Sequence, residues 1–226
     1  MIEVTSKLTT PDDTKLDILS RVLDDDEVLS RIGELTGIWT IRSAELKLLN
    51  PGRRFKVIYL LEISDGYKNG KVVIKFHRRN LPRRFEREVS PRTLPSIEPF
   101  APGFIASRES VSHTDKNHPF QRDDYRLFIE EYIVGRDLEA IYEDESPLKY
   151  ISAGIAEARY ERLGAITSTM GWVLSNVHPG NIRFRAYDNR DATIVDLGEQ
   201  DHNAWLDQYT EVVRRNIFGP LLRNQS

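Results

Sequence analysis

Several side chains suited to phosphate chemistry follow one another in order along the chain. Lys75 lies near the end of the apolar run KVVIKF (71–76), and Glu86 and Glu88 lie on the helix expected next. Asn181 closes the turn HPGN, and Asp196 ends the apolar run ATIVD. A lysine among buried neighbours can act as a fixed point charge for phosphate oxygens, and a nearby carboxylate can hold it in one rotamer. The oxygens of Asn181 and Asp196, brought together across a hairpin, would suit Mg²⁺.

A further candidate is the apolar strand in LFIEEYIVGRDL (127–138), which ends in two carboxylates and is followed by Gly135. Backbone groups at the end of this strand could pair with the rim of a purine. Each feature taken alone also has an ordinary structural explanation, such as a solvent-facing strand lysine or a hairpin with polar ends. The inference therefore depends on the ordered set and not on any one member.

This order resembles the protein-kinase-like superfamily, and more closely its aminoglycoside and choline phosphotransferase branch. The signature of that branch reads HGDLHPGN and is followed by an apolar strand that ends in Asp. Residues 174–181 read LSNVHPGN, and residues 192–200 read ATIVDLGEQ. The segment PGRRFKVIYLLE (51–62) is similar to the nucleotide-covering hairpin of the branch. The resemblance covers roughly residues 38–200 and implies a kinase-like fold.

The resemblance also implies how ATP is bound. Lys75 would contact the α- and β-phosphates, and Glu88, in preference to Glu86, would pair with Lys75. The backbone of residues 130–133, including Glu131 and Ile133, would bracket the adenine. The family likeness thus assigns the nucleotide to residues on the β-rich half of the chain.

Magnesium and the reaction follow from the same resemblance. Asn181 and Asp196 would bind Mg²⁺, while His178 in the HPGN turn is expected to be structural. The implied function is transfer of the γ-phosphate of ATP to a hydroxyl of a small molecule or a protein, the acceptor being unknown. The alternative is a catalytically inactive pseudokinase that acts as a nucleotide-gated binding module.

Asn176 separates these two functions. It stands where the family has its catalytic Asp, and an amide oxygen is far too weakly basic to accept a hydroxyl proton. Three explanations fit: a natural pseudokinase, an Asp→Asn substitution introduced to inactivate the protein, or a base supplied from elsewhere. Candidates for such a base are Glu199, Asp201 and His202.

The elements that must position these residues are mainly strands in the first half of the chain and mainly helices in the second half. We expect an α+β, bilobal protein-kinase-like fold, with a β-rich N-lobe containing one helix and a small helical C-lobe. The expected division is an N-terminal helical extension (1–36), the N-lobe (37–133) and the C-lobe with the HPGN loop and the metal-binding Asp (134–226). Hydrophobic periodicity predicts strands at 38–49, 55–63, 71–76, 103–107, 125–132, 181–185 and 192–196, and helices at 82–94, 137–142, 148–170 and 205–222. A turn is expected at 50–52 and a loop at 112–124.

Composition excludes several classes of protein. The chain has 226 residues, of which 39% are hydrophobic and 30% charged, and it contains no Cys. Disulfides and thiolate nucleophiles are therefore excluded, and no apolar run is long enough to suggest a membrane span. The net charge of -3 argues against bulk nucleic-acid binding, and we expect a cytoplasmic protein. Basic residues concentrate in 71–92 and acidic residues in 123–145.

Overall fold

The computed structural model of the chain describes eleven segments, which form two compact units. The first unit comprises Met1–Phe85 and Gly103–Tyr132, and the second comprises Glu86–Pro102 and Ile133–Ser226. The described residues are 4–6, 13–49, 56–78, 82–114, 122–144, 147–171, 173–174, 177–185, 191–197, 200–201 and 209–223.

The first unit is built on a six-stranded sheet in the order β1-β2-β3-β4-β6-β5. Strand β1 pairs with β2 in parallel, and the other neighbours are antiparallel. The strands are β1 (Val4–Ser6), β2 (Ser43–Leu48), β3 (Lys56–Ser64), β4 (Asn69–Arg78), β5 (Phe104–Thr114) and β6 (Arg122–Glu131). The β-rich character predicted for this half of the chain is confirmed, and the structure shows that the sheet is mainly antiparallel.

One face of this sheet is apolar and is covered by two helices. Alternation along β3, β4 and β6 directs apolar side chains to this face, because successive residues of a strand point to opposite sides. The buried set comprises Tyr59, Leu61, Ile63, Val72, Ile74, Phe76, Leu127 and Ile129. Helices α1 (Asp13–Leu23) and α2 (Asp26–Thr36) add Ile18, Leu19, Leu23, Val28 and Ile32 to the same core.

The ends of α2 follow from two residues. The Asp25 side chain accepts hydrogen bonds from the backbone N–H of Glu27 and Val28, which the helix itself leaves unsatisfied. Gly37 ends the helix with φ 74°, a left-handed conformation that suits glycine, and its N–H donates to the carbonyl of Gly33. These caps explain why the helix begins and ends where it does.

The second unit is mainly helical. It contains α4 (Leu138–Tyr142), α5 (Leu148–Ser168) and α6 (Tyr209–Arg223), whose buried residues include Tyr160, Leu163, Val213 and Ile217. A small sheet has the order β10-β9-β7, and a two-stranded sheet pairs β8 with β11. The strands are β7 (Gly135–Asp137), β8 (Val173–Leu174), β9 (Ile182–Arg185), β10 (Ala192–Ile194) and β11 (Gln200–Asp201). Helix α3 (Pro82–Val89) spans the division between the units and leads into a 3₁₀ turn, Ser90–Thr93.

The two compact units divide the chain differently from the expected segments. Residues 13–36 do not form a separate extension, because their apolar stripe packs on the sheet of the first unit. Residues 86–102 belong to the second unit, where Ile97 and Phe100 enter the core. Strands β5 and β6 also extend into the region expected to be a loop at 112–124, while the expected turn at 50–52 lies outside the described residues. Within the described part of the chain, none of the helices has the length and apolar character required to span a bilayer.

Candidate functional site

Lys75 lies in the middle of β4, on the sheet face opposite the apolar core. The strand register places it directly across from Ile58 on β3 and from Phe128 on β6. Only 3% of the residue is exposed. Its position follows from the alternation in β4, where Ile74 and Phe76 point to the core and Lys75 points away from it.

The ammonium group of Lys75 has a carboxylate partner on the neighbouring strand. Its Nζ lies 2.7 Å from Oε1 of Glu130, and the two side chains are 4% and 2% exposed. The same Nζ lies 5.0 Å from the centroid of the Phe128 ring, which is within range of a cation–π interaction. Glu130 follows Phe128 by two residues on β6, so both side chains share the face of Lys75. The sequence pattern assigns Glu130 only to the backbone expected to bracket adenine and gives no sign of this ion pair.

Aromatic rings surround the next position on this face. His77 stacks on Phe128 with ring centroids 5.8 Å apart, and it meets the edge of Phe85 at 5.4 Å. His77, Phe85 and Phe128 are all less than 5% exposed. This cluster shields one side of Lys75 from water, and low dielectric strengthens the interactions of a charge.

A second group of charges lies toward the other end of β4 on the same face. Glu62 accepts a hydrogen bond from Lys47 and pairs with Lys71, whose Nζ lies 3.1 Å from Oε1. The hydrogen bond from Lys47, followed by that from Lys71, lowers the pKa of Glu62. An open cavity of about 610 Å³ adjoins this group and is lined by residues of β2, β3 and β4. This end of the face is more exposed than the buried pair at Lys75.

In the second unit the HPGN sequence forms the predicted turn. His178 Nδ1 accepts a hydrogen bond from the backbone N–H of Gly180 at 3.0 Å, and the N–H of Asn181 donates to the His178 carbonyl at 3.0 Å. The His178 ring is therefore used to stabilise the turn. Strand β9 begins at the residue after Asn181.

The β9–β10 hairpin brings the two predicted metal ligands to the same end. Ile194 pairs with Ile182, and the N–H of Val195 donates to the carbonyl of Asn181 at 2.8 Å. Asp196 is the next residue. Asn181 and Asp196 therefore lie on adjoining segments of backbone, and both are half-buried.

Two buried side chains that lie outside every sequence motif support this hairpin end. Tyr160 on α5 hydrogen-bonds to the His178 backbone, and burial raises the pKa of its hydroxyl well above the usual range, with smaller contributions from Tyr209 and Asp196. Arg92 donates to the carbonyl of Val195 at 3.4 Å and also to the carbonyl of Glu88. Both are remote in sequence from the residues they support, so no local pattern could have revealed them.

The remaining predicted residues have these surroundings. Glu88 is buried in the second unit, where its carbonyl accepts from Arg92, and its pairing with Lys75 stays a prediction. Glu131 accepts a hydrogen bond from the N–H of Gly103 at 3.1 Å through its side chain. The carbonyl of Ile133 accepts from Arg183 at 3.1 Å.

Asn176, Glu199 and His202 lie outside the described residues. Asp201 lies in β11, paired with Val173. The role of Asn176 therefore rests on the sequence.

Comparison with solved structures identifies the fold. A MAP kinase from Leishmania major, LmaMPK10, matches with a TM-score of 0.50 and 18% identity over 86% of this chain and 61% of that one. A structure of Rad53 residues 1–466 in complex with AMP-PNP matches with a TM-score of 0.46 and 13% identity over 68% and 38% of the two chains. Vaccinia related kinase 3 matches with a TM-score of 0.45 and 19% identity over 82% and 57%.

The likeness to LmaMPK10 establishes a protein-kinase-like fold for the chain. The chain spans 38–61% of the length of these kinases. No protein-family model and no curated protein sequence matches it. The particular resemblance to aminoglycoside and choline phosphotransferases stays a prediction.

Proposed function

We propose that the protein binds ATP with Mg²⁺ and transfers the γ-phosphate to a hydroxyl of a small molecule or a protein. The observation that supports this most strongly is the pairing of Val195 with Asn181, which sets Asn181 beside Asp196 in a kinase-like fold. Lys75, buried on the polar face of the sheet, is the proposed ligand of the nucleotide phosphates. The backbone near Glu131 and Ile133 is proposed to contact the adenine.

The residues at the hairpin end fit Mg²⁺. Asn181 and Asp196 offer one amide and one carboxylate oxygen ligand, and Mg²⁺ in phosphate-transfer sites is usually held by one or two such side chains, with phosphate and water oxygens completing the octahedron. Among the described residues no group of three or more His, Cys, Asp or Glu could hold a metal, so the proposed site depends on Asn181 and Asp196 alone. Bound Mg²⁺ would offset the negative charge of the phosphates.

The protein supplies positioning and charge in this proposal. Lys75 holds a fixed positive charge, since its stem is packed among buried neighbours. Tyr160 and Arg92 stabilise the backbone that carries Asn181 and Asp196. Positioning and electrostatic stabilisation provide most of the acceleration in phosphoryl transfer, so turnover need not vanish when the base is weak.

The alternative is a pseudokinase that binds nucleotide and uses it to control a partner. Asn176 favours this candidate, because an amide cannot act as the general base. Both candidates require nucleotide binding and differ in turnover. Nucleotide binding is therefore the first property to measure.

A thermal-shift and calorimetric titration tests the proposal with ATP and Mg²⁺, together and separately. Ligand that binds only the native state stabilises it by about 2.7 kcal/mol at a hundredfold excess over Kd. We expect Mg²⁺ to increase the shift caused by ATP and Asp196→Ala to remove that increase. Asp191→Ala is the matched control, because Asp191 lies at the other end of the same hairpin and pairs with Arg185 and Arg159. Absence of ATP binding at millimolar concentration would refute the proposed function and leave only the fold.

A further inference from the structure

An open cavity of about 690 Å³ lies wholly within the second unit. Its walls come from three segments: helix α4, residues 177–179 at the start of the HPGN turn, and the C-terminal half of α6. Sites for small organic ligands are usually cavities of this size. The cavity is therefore large enough to hold a ligand such as a short peptide.

Two hydrogen bonds fix the walls of this cavity relative to one another. The Tyr142 hydroxyl on α4 donates to the carbonyl of Ile217 on α6 at 2.5 Å. The side-chain amide of Asn216 on α6 donates to the carbonyl of Val177 at 3.1 Å. The fold itself thus forms the cavity, which lowers the cost of ordering a binding site when a ligand arrives.

The wall that α6 contributes contains residues that disfavour a helix. Gly219 and Pro220 lie inside the helix, where glycine and proline are the least favourable residues. Pro220 has no N–H to donate to the carbonyl of Asn216, so this wall carries a carbonyl without its usual helical partner. A Cβ at Gly219 would meet no described atom within 4 Å, so close packing does not require the glycine. Local choices that work against an element concentrate at functional sites.

Two opposite charges line the cavity without pairing. Glu139 on α4 and Arg215 on α6 are both exposed, and in the part of the chain that the structure describes neither takes part in an ion pair or a side-chain hydrogen bond. The Glu139 carboxylate lies against the turn, so close to Gly180 that a Cβ there would overlap it. The cavity therefore presents an acceptor for a cation on one wall and a donor for an anion on another.

We propose that this cavity binds a small zwitterion of the peptide type. The ligand's ammonium group pairs with Glu139, and its carboxylate pairs with the guanidinium of Arg215, whose planar group of donors suits a carboxylate. An amide N–H of the ligand can donate to the carbonyl of Asn216. The inference goes beyond the proposed function and does not depend on nucleotide binding, because every residue that carries it belongs to one unit.

NMR titration of the full chain with triglycine tests the inference. The peptide is compared in four forms: with both ends free, N-acetylated, C-amidated, and blocked at both ends. Blocking either end should weaken binding by about threefold, and blocking both by about tenfold, because an exposed charge pair contributes modestly. Equal affinity for the four forms, or no binding of the free-ended peptide at about 10 mM, would overturn the inference. This comparison uses the wild-type protein and is independent of whether any variant folds.

Two charge variants assign the ends of the ligand. In Glu139→Gln, N-acetylation should change the affinity by less than about 1.5-fold, while C-amidation should keep its full effect. Arg215→Gln should show the reverse pattern. Variants that respond to both modifications as the wild type does would contradict the assignment of Glu139 and Arg215 as the two contacts.

A cavity-filling variant tests where the peptide binds. Gly219→Leu would put a side chain into the open space and should weaken binding of free triglycine by about tenfold or more. Its melting temperature should not fall, since Leu is a better helix former than Gly. Gly154→Leu on α5 is the matched control, because a Cβ there also meets no described atom within 4 Å and Gly154 does not line the cavity. A Gly219→Leu protein that binds triglycine as tightly as the Gly154→Leu protein would refute the location.

Discussion

Replacing Lys75 by Met is expected to destabilise the protein by about 3–5 kcal/mol, because it removes the ammonium group that is paired with a buried carboxylate. Met retains the length of the apolar stem, so cavity formation contributes little. The expected cost comes from Glu130, whose side chain is 2% exposed and lies 2.7 Å from the lost ammonium. Glu130→Met should cost a similar amount for the converse reason. The double variant should lie within about 1 kcal/mol of the wild type, since an apolar pair fills the same volume without desolvated charge.

Urea denaturation followed by circular dichroism measures these differences. The midpoint should shift while the m-value stays constant, which shows that stability and not compactness has changed. Lys71→Met is the matched control on the same strand: Lys71 is 44% exposed in its pair with Glu62, so its loss should cost less than about 1 kcal/mol. Single variants that each cost less than about 1 kcal/mol and combine additively would refute the reasoning.

Three further predictions concern the second unit. Asn176→Asp should raise ATP turnover by about 10²–10⁴-fold with little change in ATP affinity, as measured by steady-state ATP consumption with candidate acceptors; no activity in either form would favour the pseudokinase. The raised pKa of Tyr160 means that the folded state keeps a proton which the unfolded state loses near pH 10. The stability that this gives is therefore fully present below that pH and is lost above it. Denaturation at pH 9 and pH 11 should show a smaller decrease in the free energy of unfolding for Tyr160→Phe than for the wild type. On α5, Gly164→Ala should destabilise by about 1–3 kcal/mol because its Cβ would overlap the ring of Tyr209. By contrast, Gly154→Ala should stabilise by about 0.5–1 kcal/mol, since no described atom lies within 4 Å; equal melting temperatures for the two variants would contradict this reading.

The sequence predicted the elements of this fold well where the signal is local. Alternation in KVVIKF indicates a strand and sets Lys75 apart from the apolar face, and the letters HPGN indicate the turn that His178 stabilises. The α+β, kinase-like architecture predicted from these elements is confirmed.

Residues whose role depends on pairing between distant segments were not predictable. The strand that contains Glu130 reads LFIEE, a nearly continuous apolar run followed by two acids, and only its register against β4 decides which acid meets Lys75. Acidic residues concentrate in 123–145, and nothing in that local pattern shows that Glu130 is buried. Tyr160 and Arg92 likewise act on backbone far away in sequence. Such contacts depend on tertiary structure and produce no periodic pattern in the sequence.

The way the chain alternates between the two units has a consequence for fragments and for synthesis. Residues 86–102 belong to the second unit but are flanked on both sides by residues of the first. Within the second unit, the carbonyl of Phe100 accepts from Ile194 at 2.8 Å, and Arg92 binds the carbonyl of Val195. A fragment starting at residue 133 would therefore lack partners of the hairpin that carries Asn181 and Asp196. On the ribosome, residues 86–102 are synthesised well before that hairpin and can form these contacts only after it has emerged. The second unit is therefore completed only when a loop of roughly ninety residues has closed.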